Sequence, residues 1–246
     1  MQRGVDLSNN NAGFSPGWDF YLLKASQGLD FIDGKFADYK KQAANVGKPV
    51  IRYGYYVAGL DAARQADYLI DAFPLTAGEG LMCDFEEDRG NTAAAAAYMR
   101  QLIARAPEHR ALLYCNVDYW NGFHGNPVPT IAGLVLAEWN GMPGVITGTG
   151  VHADFHQFAN TLAGHPLDLD AYLGAGTVAD YLNATVARPP QRTWIVGRWP
   201  SWDSTLYGLA NHFYGKGEDW PRIFNANRNV LANPNELNPG MVLIIP

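Results

Sequence analysis

The sequence lacks the residue patterns that mark several common classes of protein. It has only two cysteines in 246 residues, Cys83 and Cys115. Both lie in apolar, strand-like runs, so we interpret them as small buried side chains rather than as a disulfide framework or a metal site. The chain also lacks the Cys/His spacings of metal sites, a phosphate-binding loop and a dinucleotide fingerprint. We therefore expect no metal and no cofactor.

Basic charge and long apolar runs are missing as well. The formal net charge is −6, which argues against nucleic acid as a partner because a phosphate-binding surface would be basic. No apolar run is long enough to cross a bilayer, so we expect no membrane contact. Met1-Gln2-Arg3 leads directly into a strand-like segment, without the pattern of a signal peptide. The six histidines show no base–nucleophile arrangement, which argues against a Ser or Cys hydrolase.

What the sequence does contain is a regular alternation of strand-like and helix-like segments. The strand-like segments are 4–8, 20–25, 50–57, 80–84, 111–115, 133–139 and 155–158, and the helix-like segments are 33–46, 61–73 and 92–106. Such alternation indicates parallel crossover units, so it predicts an α/β barrel or a doubly wound sheet.

One apolar run ends abruptly in a cluster of carboxylates within residues 80–88. Asp84 and Glu86 are expected to point the same way, roughly 6.5–7 Å apart by strand rise, with Phe85 on the other face. Because two such carboxylates repel each other, one is expected to have a raised pKa. An acid beside an anion is what a glycosidase needs. The alternative is a solvated acidic loop or a helix cap.

Acids also follow other predicted strands. Asp6 and Glu138 lie at or near strand ends, and Asp168 lies just past the last predicted strand. In barrels of parallel strands the carboxyl ends build the active site, so we expect these acids to converge with Asp84 and Glu86. The alternative is that the acids are scattered over surface loops. That would explain any single acid, but it explains poorly why four strands each have an acid at or near their end. For Glu138 two interpretations stay open, a pocket residue or an ion-pair partner of a base such as Arg52.

The character of the chain changes after residue 174. We predict a catalytic domain over 1–180, a Pro-rich linker over 181–192 and a small module over 193–246. Within the module the pattern predicts a strand, two short helices and a closing strand, a βααβ arrangement. It is dense in aromatic side chains, and exposed aromatic rings stack on sugar faces.

The order and spacing of these motifs resemble those of a known family. Residues 4–174 resemble the catalytic domain of glycoside hydrolase family 25, the muramidases of the Chalaropsis lysozyme type. The matching stretches are Gly4-Val5-Asp6-Leu7-Ser8, Leu23-Lys24-Ala25-Ser26-Gln27-Gly28, Tyr55-Tyr56-Val57, Asp84-Phe85-Glu86, Gln157, and Asp168-Leu169-Asp170-Ala171-Tyr172-Leu173-Gly174. Residues 193–246 resemble a LysM module, with Asp203-Ser204-Thr205-Leu206, Ala210, Trp220, Asn227 and the closing run from Pro239 to Pro246.

The resemblance implies a flattened (β/α) barrel of the TIM-like type, with five βα units plus extra strands. It implies cleavage of the β-1,4 bond between N-acetylmuramic acid and N-acetylglucosamine. Glu86 would be the general acid, and Asp84 would stabilise the 2-acetamido group as it attacks, or polarise a water. Asp6 and Asp168 would line the pocket and tune those pKa values. The candidate substrate contacts are Tyr55, Tyr53, Trp139, Gln157 and Glu138.

The sequence departs from the family pattern in the substrate contacts rather than in the carboxylates. Gln27 replaces the usual Glu, and Tyr56 and His156 replace the usual His and Trp. Val135 stands where a Trp is common, with Trp139 in the following aromatic position. Strand alternation puts Tyr53 and Tyr55 on one face and Tyr56 on the other.

These observations together predict an endolysin-type muramidase of bacteriophage origin. Its partners would be the glycan strands of bacterial peptidoglycan, with the LysM module binding N-acetylglucosamine-containing glycan. Without a leader it would be made in the host cytoplasm and reach the wall by holin-type export. The alternatives are a LysM-bearing chitinase-like glycosidase and a non-catalytic wall-binding or virion structural protein.

Overall fold

The computed structural model describes residues 1–123, 133–184, 193–197, 202–227, 230–231 and 233–245. The chain divides into two compact units, Met1–Val186 and Ala187–Pro246. Of the predicted Pro-rich linker 181–192, residues 181–183 belong to the helix Val178–Asn183, and residues 185–192 lie outside the described residues.

The first unit is a closed barrel of eight strands with one short strand added. The strands are β1 (Arg3–Leu7), β2 (Phe20–Gln27), β3 (Phe31–Ile32), β4 (Val50–Tyr55), β5 (Gly80–Asp84), β6 (Ala111–Asn116), β7 (Gly133–Ala137), β8 (Phe155–Leu162) and β9 (His165–Tyr172). Their order is β1-β9-β8-β7-β6-β5-β4-β2, and pairing of β1 with β2 closes the ring, while β3 pairs with β2. The predicted α/β barrel is confirmed.

Most helices of this unit lie on the outside of the barrel, whereas the last one, Val178–Asn183, contributes Val178 and Leu182 to the core inside it. The helices are α1 (Phe36–Asn45), α2 (Ala62–Asp71), α3 (Thr92–Arg105), α4 (Val117–Gly122) and α5 (Val178–Asn183). The first three match the predicted helices to within a few residues. Several helices have a side-chain cap at the N-terminus, such as Asp61 in α2 and Asn91 in α3. These caps satisfy backbone N–H groups that have no partner inside the helix.

The last two barrel strands form an antiparallel hairpin, whereas the other barrel strands run parallel. β9 pairs antiparallel with both β8 and β1, and Asp6 lies opposite Asp168 in that register. The expectation that Asp168 lies just past the last strand is therefore wrong, because it lies inside β9. Asp6 and Asp168 therefore face each other across two neighbouring antiparallel strands. They do not both lie at the carboxyl ends of parallel strands.

Side-chain alternation along the strands produces two large cores, besides a small cluster of Phe158, Leu169 and Ala171 on β8 and β9. One lies inside the barrel and includes Leu22, Met82 and Leu112. The other lies between the barrel and its helices and includes Cys83 and Cys115, both free and buried, as predicted. Because β5 alternates between the two cores, Met82 and Asp84 face inward.

The outer layer also contains a buried ion pair. Arg52 on β4 is fully buried and its Nε donates to Glu79 Oε1 at 2.6 Å. Lys40 also donates to Glu79, at 2.7 Å. Arg52 donates further to the carbonyls of Phe73 and Pro74, both at 2.9 Å. Each nitrogen of the buried Arg52 guanidinium therefore has a hydrogen-bond partner. A buried charge is tolerated when it is paired in this way.

The second unit has the predicted βααβ arrangement. Strands β10 (Thr193–Ile195) and β11 (Val242–Ile244) pair antiparallel, and between them lie α6 (Leu206–Tyr214) and α7 (Trp220–Ala226). Its core contains Leu209, Ile223 and Leu243. Within the described residues of both units, no helix is long and apolar enough to cross a membrane.

Candidate active site

Asp6 and Asp168 meet at the mouth of the barrel. They are opposite each other on β1 and β9. Tyr53 on β4 donates from its hydroxyl to Asp6 Oδ1 at 2.7 Å, which fixes the carboxyl of Asp6. Loss of water around the carboxyl raises the pKa of Asp6, and the nearby Asp168 raises it further. Burial likewise raises the pKa of Asp168. Tyr53 thus supports an acid, and its role as a sugar contact stays a prediction.

Asp84 and Glu86 lie at the end of β5 beside the first two acids. Asp84 is only 8% exposed, and its Oδ1 has no hydrogen-bond partner among the described residues. Burial raises the pKa of Asp84, followed by repulsion from Glu86 and Asp6. Burial also raises the pKa of Glu86, and Asp168 adds to the rise. Phe85 packs on Tyr56 in the outer core, so the predicted alternation is correct.

Three side chains connect Glu86 to the surface of the barrel mouth. The Tyr114 hydroxyl on β6 lies 3.3 Å from Glu86 Oε1 and 2.9 Å from Gln157 Oε1 on β8. Trp139, which follows β7, donates from Nε1 to the same Gln157 oxygen at 2.8 Å. Gln157 is 1% exposed, whereas Trp139 is 57% exposed. One end of this chain of contacts is therefore in solvent and the other is at a candidate catalytic acid.

A fifth carboxyl, Asp170, lies next to this cluster. It is fully buried in β9, and neither of its oxygens has a hydrogen-bond partner among the described residues. Its neighbours in register are Gly4 on β1 and Gln157 on β8. Burial raises the pKa of Asp170 well above its usual range, and the charges of Asp6 and Asp168 raise it further. A carboxyl in this position favours its neutral, protonated form.

The cation Lys24 lies close to these acids. The charge of Lys24 on β2 lowers the pKa values of Asp6, Asp84 and Glu86. Its Nζ donates to Gln27 Oε1 at 2.7 Å and lies 5.0 Å from the centre of the Tyr55 ring. A cavity of about 540 Å³ opens beside it, lined by Asn9, Asn10, Lys24, Gln27, Gly28, Asp30, Phe31, Val57 and Leu60. The amides and the cation suit the hydroxyl groups of a sugar, and the ring of Phe31 suits a sugar face.

Glu138 does not pair with Arg52, because Glu79 occupies that position. Its carboxylate accepts from the backbone N–H and the hydroxyl of Thr147. These hydrogen bonds lower the pKa of Glu138, so its charge orders the loop after β7. The ion pair with Arg52 was therefore a wrong alternative, while a substrate contact by Glu138 stays a prediction.

The site can supply protons and negative charge to a bound sugar. In the ranges that the structure describes, no group of three or more His, Cys, Asp or Glu side chains could hold a metal ion. The carboxyls of this site differ in how deeply they are buried, and therefore in proton affinity. One of them can act as an acid while another is ionised.

Sequence reasoning missed three members of this site, Lys24, Tyr114 and Asp170. Lys24 had a usable signal, since a lone lysine in the apolar strand Phe20-Tyr21-Leu22-Leu23 faces inward by alternation with Leu22. Tyr114 alternates in the same way with Leu112 on β6. Asp170 lies within the family-like motif 168–174, but its burial can be predicted only when β9 is recognised as a strand.

Comparison with known proteins identifies both units. The model of glycosyl hydrolases family 25 matches residues 5–164, and the LysM domain model matches residues 203–246. None of the curated proteins compared with this sequence matches it.

Solved structures share the fold of the first unit. A bacterial lysozyme from Streptomyces coelicolor has 20% identity and a TM-score of 0.64, over 75% of this chain and 98% of its own. A muramidase from Trichobolus zukalii has 22% identity and a TM-score of 0.61, over 76% and 99%. The catalytic domain of endolysin ply40 from bacteriophage P40 of Listeria monocytogenes has 17% identity and a TM-score of 0.59, over 74% and 98%.

The family match covers more than half of the chain, from inside β1 to the tip of the β8–β9 hairpin. With the LysM domain it indicates binding and hydrolysis of peptidoglycan. The chain belongs to glycosyl hydrolases family 25, and it is a glycoside hydrolase of the muramidase, or lysozyme, type.

Proposed function

We propose that this enzyme hydrolyses the β-1,4 bond between N-acetylmuramic acid and N-acetylglucosamine, with Glu86 as the general acid. The observation that carries the proposal is the placing of Glu86 beside the more deeply buried Asp84, with Asp6 and Asp168 nearby. Repulsion among these carboxyls disfavours ionising all of them at once. At least one proton is therefore retained within the cluster, and in the active form Glu86 holds one for the oxygen of the leaving sugar.

The other carboxyls have supporting roles in this proposal. Asp84, in its ionised form, stabilises the 2-acetamido group as it attacks the anomeric carbon, or polarises a water. Asp6 and Asp168 raise the proton affinity of Asp84 and position the sugar. The exposed Trp139 and the half-buried Tyr55 offer ring faces to the glycan at the barrel mouth.

The pH dependence of activity follows from these pKa shifts. A general acid must be protonated, so activity falls as the pH rises through the raised pKa of the acid. The stabilising carboxylate must be ionised, so activity also falls at low pH. We expect a bell-shaped profile whose limbs belong to the coupled pair Asp84 and Glu86 rather than to single residues. A rate that stays flat from mildly acidic to alkaline pH would contradict this assignment.

The central test is the variant Glu86→Gln, with Glu87→Gln as matched control. Gln keeps the size of Glu but has no proton to transfer, so turnover should fall by about 100- to 10,000-fold. Glu87 accepts from the Ala58 N–H at 2.8 Å, and Gln can accept this bond too, so the control should remain active. Release of reducing ends from purified peptidoglycan measures both. Full activity of Glu86→Gln would remove the general-acid role.

We also propose that the enzyme acts as an endolysin on the walls of a bacterial host. The phage endolysin among the structures of the same fold supports this, and the LysM unit is suited to hold glycan that contains N-acetylglucosamine. The enzyme would be made in the host cytoplasm and reach the wall by holin-type export. Mass spectrometry of digested peptidoglycan would identify the bond, because a muramidase leaves N-acetylmuramic acid at the new reducing end. Efficient digestion of chitin instead would favour the chitinase alternative.

A further inference from the structure

The chain of contacts from Trp139 to Glu86 has a fixed direction. An indole Nε1–H can only donate a hydrogen bond. Trp139 donates to Gln157 Oε1 at 2.8 Å, so the amide oxygen of Gln157, and not its nitrogen, occupies this position. Gln157 is almost completely buried, which leaves water little access to compete for that oxygen.

Tyr114 is the next member, and it has a single proton to donate. Its hydroxyl lies 2.9 Å from Gln157 Oε1 and 3.3 Å from Glu86 Oε1. The amide oxygen cannot donate, so the contact between Tyr114 and Gln157 exists only if Tyr114 donates to Gln157. The shorter of the two distances agrees with this direction. A lone pair of the Tyr114 oxygen then faces Glu86.

A lone pair can form a hydrogen bond with Glu86 only if the carboxyl carries a proton. We propose that Gln157 and Tyr114 are positioning residues that hold Glu86 in its protonated form, with Trp139 fixing the direction of the Gln157 amide. This inference rests on the proposed role of Glu86 as general acid and adds how the acid keeps its proton at the pH at which it works.

Other charged and titratable groups act on Glu86 from the surrounding strands. They are Lys24 on β2, Asp84 on β5, Asp168 on β9, Asp6 on β1 and Tyr55 on β4. A hydrogen bond donated by Tyr114 to the Glu86 carboxylate would favour the ionised form, and Lys24 also favours it, whereas Asp168 favours the protonated form. Apart from Tyr114, none of these groups is changed in the variants below, so a shift in the pH profile reports on the contacts of Tyr114.

The variant Gln157→Met tests the direction of the hydrogen bonds between Trp139 and Glu86. Met has a similar length but cannot accept the Tyr114 proton well, so Tyr114 becomes free to donate to ionised Glu86. A hydrogen bond to a carboxylate favours the ionised form, and the alkaline limb of the pH–rate profile should move to lower pH by about one to two units. If Tyr114 already donates to Glu86, this variant leaves the limb in place and the proposal fails.

The variant Tyr114→Phe is a second, independent test, because the two possible hydrogen-bond directions predict opposite shifts of the alkaline limb. Under the proposal it removes the acceptor for the Glu86 proton, so the alkaline limb again moves to lower pH. Under the opposite direction it removes a donor to the Glu86 carboxylate, and the limb moves to higher pH. Tyr56→Phe is the matched control, because it removes a hydroxyl on the outer face of the neighbouring strand end, and its limb should stay where it is.

Failure of the proposed contacts can be distinguished from failure of the proposed general acid. Thermal unfolding of the full chain first establishes that each variant is folded, and the position of the limb is measured as relative rate against pH. If Glu86→Gln is inactive but the limb does not move downward in the two variants, the chain of contacts is refuted and the general acid stands. If Glu86→Gln retains full activity, the general acid itself is refuted.

Discussion

Replacing Asp170 by Asn should make the fold more stable at neutral pH, and increasingly so as the pH rises. Asp170 is fully buried, and both of its oxygens lack partners among the described residues. In the unfolded chain its carboxyl ionises near the ordinary value of about 3.9. In the fold its pKa is raised well above that value by burial and by Asp6 and Asp168. Asn is neutral in both states, so the variant removes this difference.

The magnitude follows from proton linkage. Between the unfolded and the folded pKa, the folded protein holds one proton more, so stability falls as the pH rises. The cost is about 1.4 kcal/mol per pH unit while Asp170 stays protonated in the fold. From pH 4 to pH 6 this amounts to about 2.7 kcal/mol. For a unit of this size, such a difference shifts the melting temperature by about 5 to 11 °C.

Differential scanning calorimetry of the full chain at several pH values measures the effect on the barrel unit. Burying the Asn amide adds a cost of its own, but that cost does not vary with pH, so the diagnostic quantity is the slope of the stability difference. Asp118→Asn is the matched control, since this exposed acid pairs with Arg89 on the surface and such pairs contribute only about 0–1 kcal/mol. A stability difference for Asp170→Asn that stays constant from pH 4 to pH 7 would refute the inference that Asp170 is neutral in the fold.

Three further predictions concern the rest of the chain. Glu79→Ala removes the partner of the buried Arg52, and urea denaturation should show a loss of about 3–5 kcal/mol of unfolding free energy; a loss under 1 kcal/mol would mean that solvent reaches the arginine. Ala163→Asn should raise the unfolding free energy by about 0.5–1 kcal/mol, because Ala163 has a φ of +51° that Asn adopts more easily; an unchanged or lower value in the same assay would refute the strain. A chain ending at residue 188 should still cleave soluble glycan but bind whole walls at least about 10-fold more weakly in a pelleting assay, through lost avidity; equal wall binding would show that the LysM unit does not target the enzyme.

The parallel part of the barrel could be predicted because its signals are local. Apolar runs such as those of β4 and β5 alternate with amphipathic helices, and a strand that enters a cluster of acids indicates the mouth of the barrel. The same alternation correctly placed Asp84 inside and Phe85 outside. These inferences require only the period of the pattern and the direction of the strands.

The hairpin of β8 and β9 could not be predicted in the same way. Its two-residue turn, Ala163-Gly164, has positive φ at both positions, but Ala at the first position gives no turn signal comparable to Asn-Gly. Asp168 and Asp170 also belong to a residue type that is depleted in strands. Their strand character comes from pairing with β1 and β8, which are distant in sequence. For this reason the sequence pattern places Asp168 just past the last predicted strand and gives Asp170 no place in a strand.

The barrel unit uses buried charge in two opposite ways. Around Arg52, in the layer outside the barrel, each buried charge has partners, because Glu79 accepts from two cations and the arginine donates to two carbonyls as well. At the mouth, Asp84 and Asp170 have buried oxygens without partners among the described residues. A satisfied pair holds its protonation state, whereas unsatisfied buried carboxyls have raised pKa values and keep their protons to higher pH than exposed acids do. Pairing the acids of the mouth with added bases would therefore stabilise the fold and remove the proton that Glu86 has to give. The stability cost of these carboxyls and the proposed activity have the same physical cause.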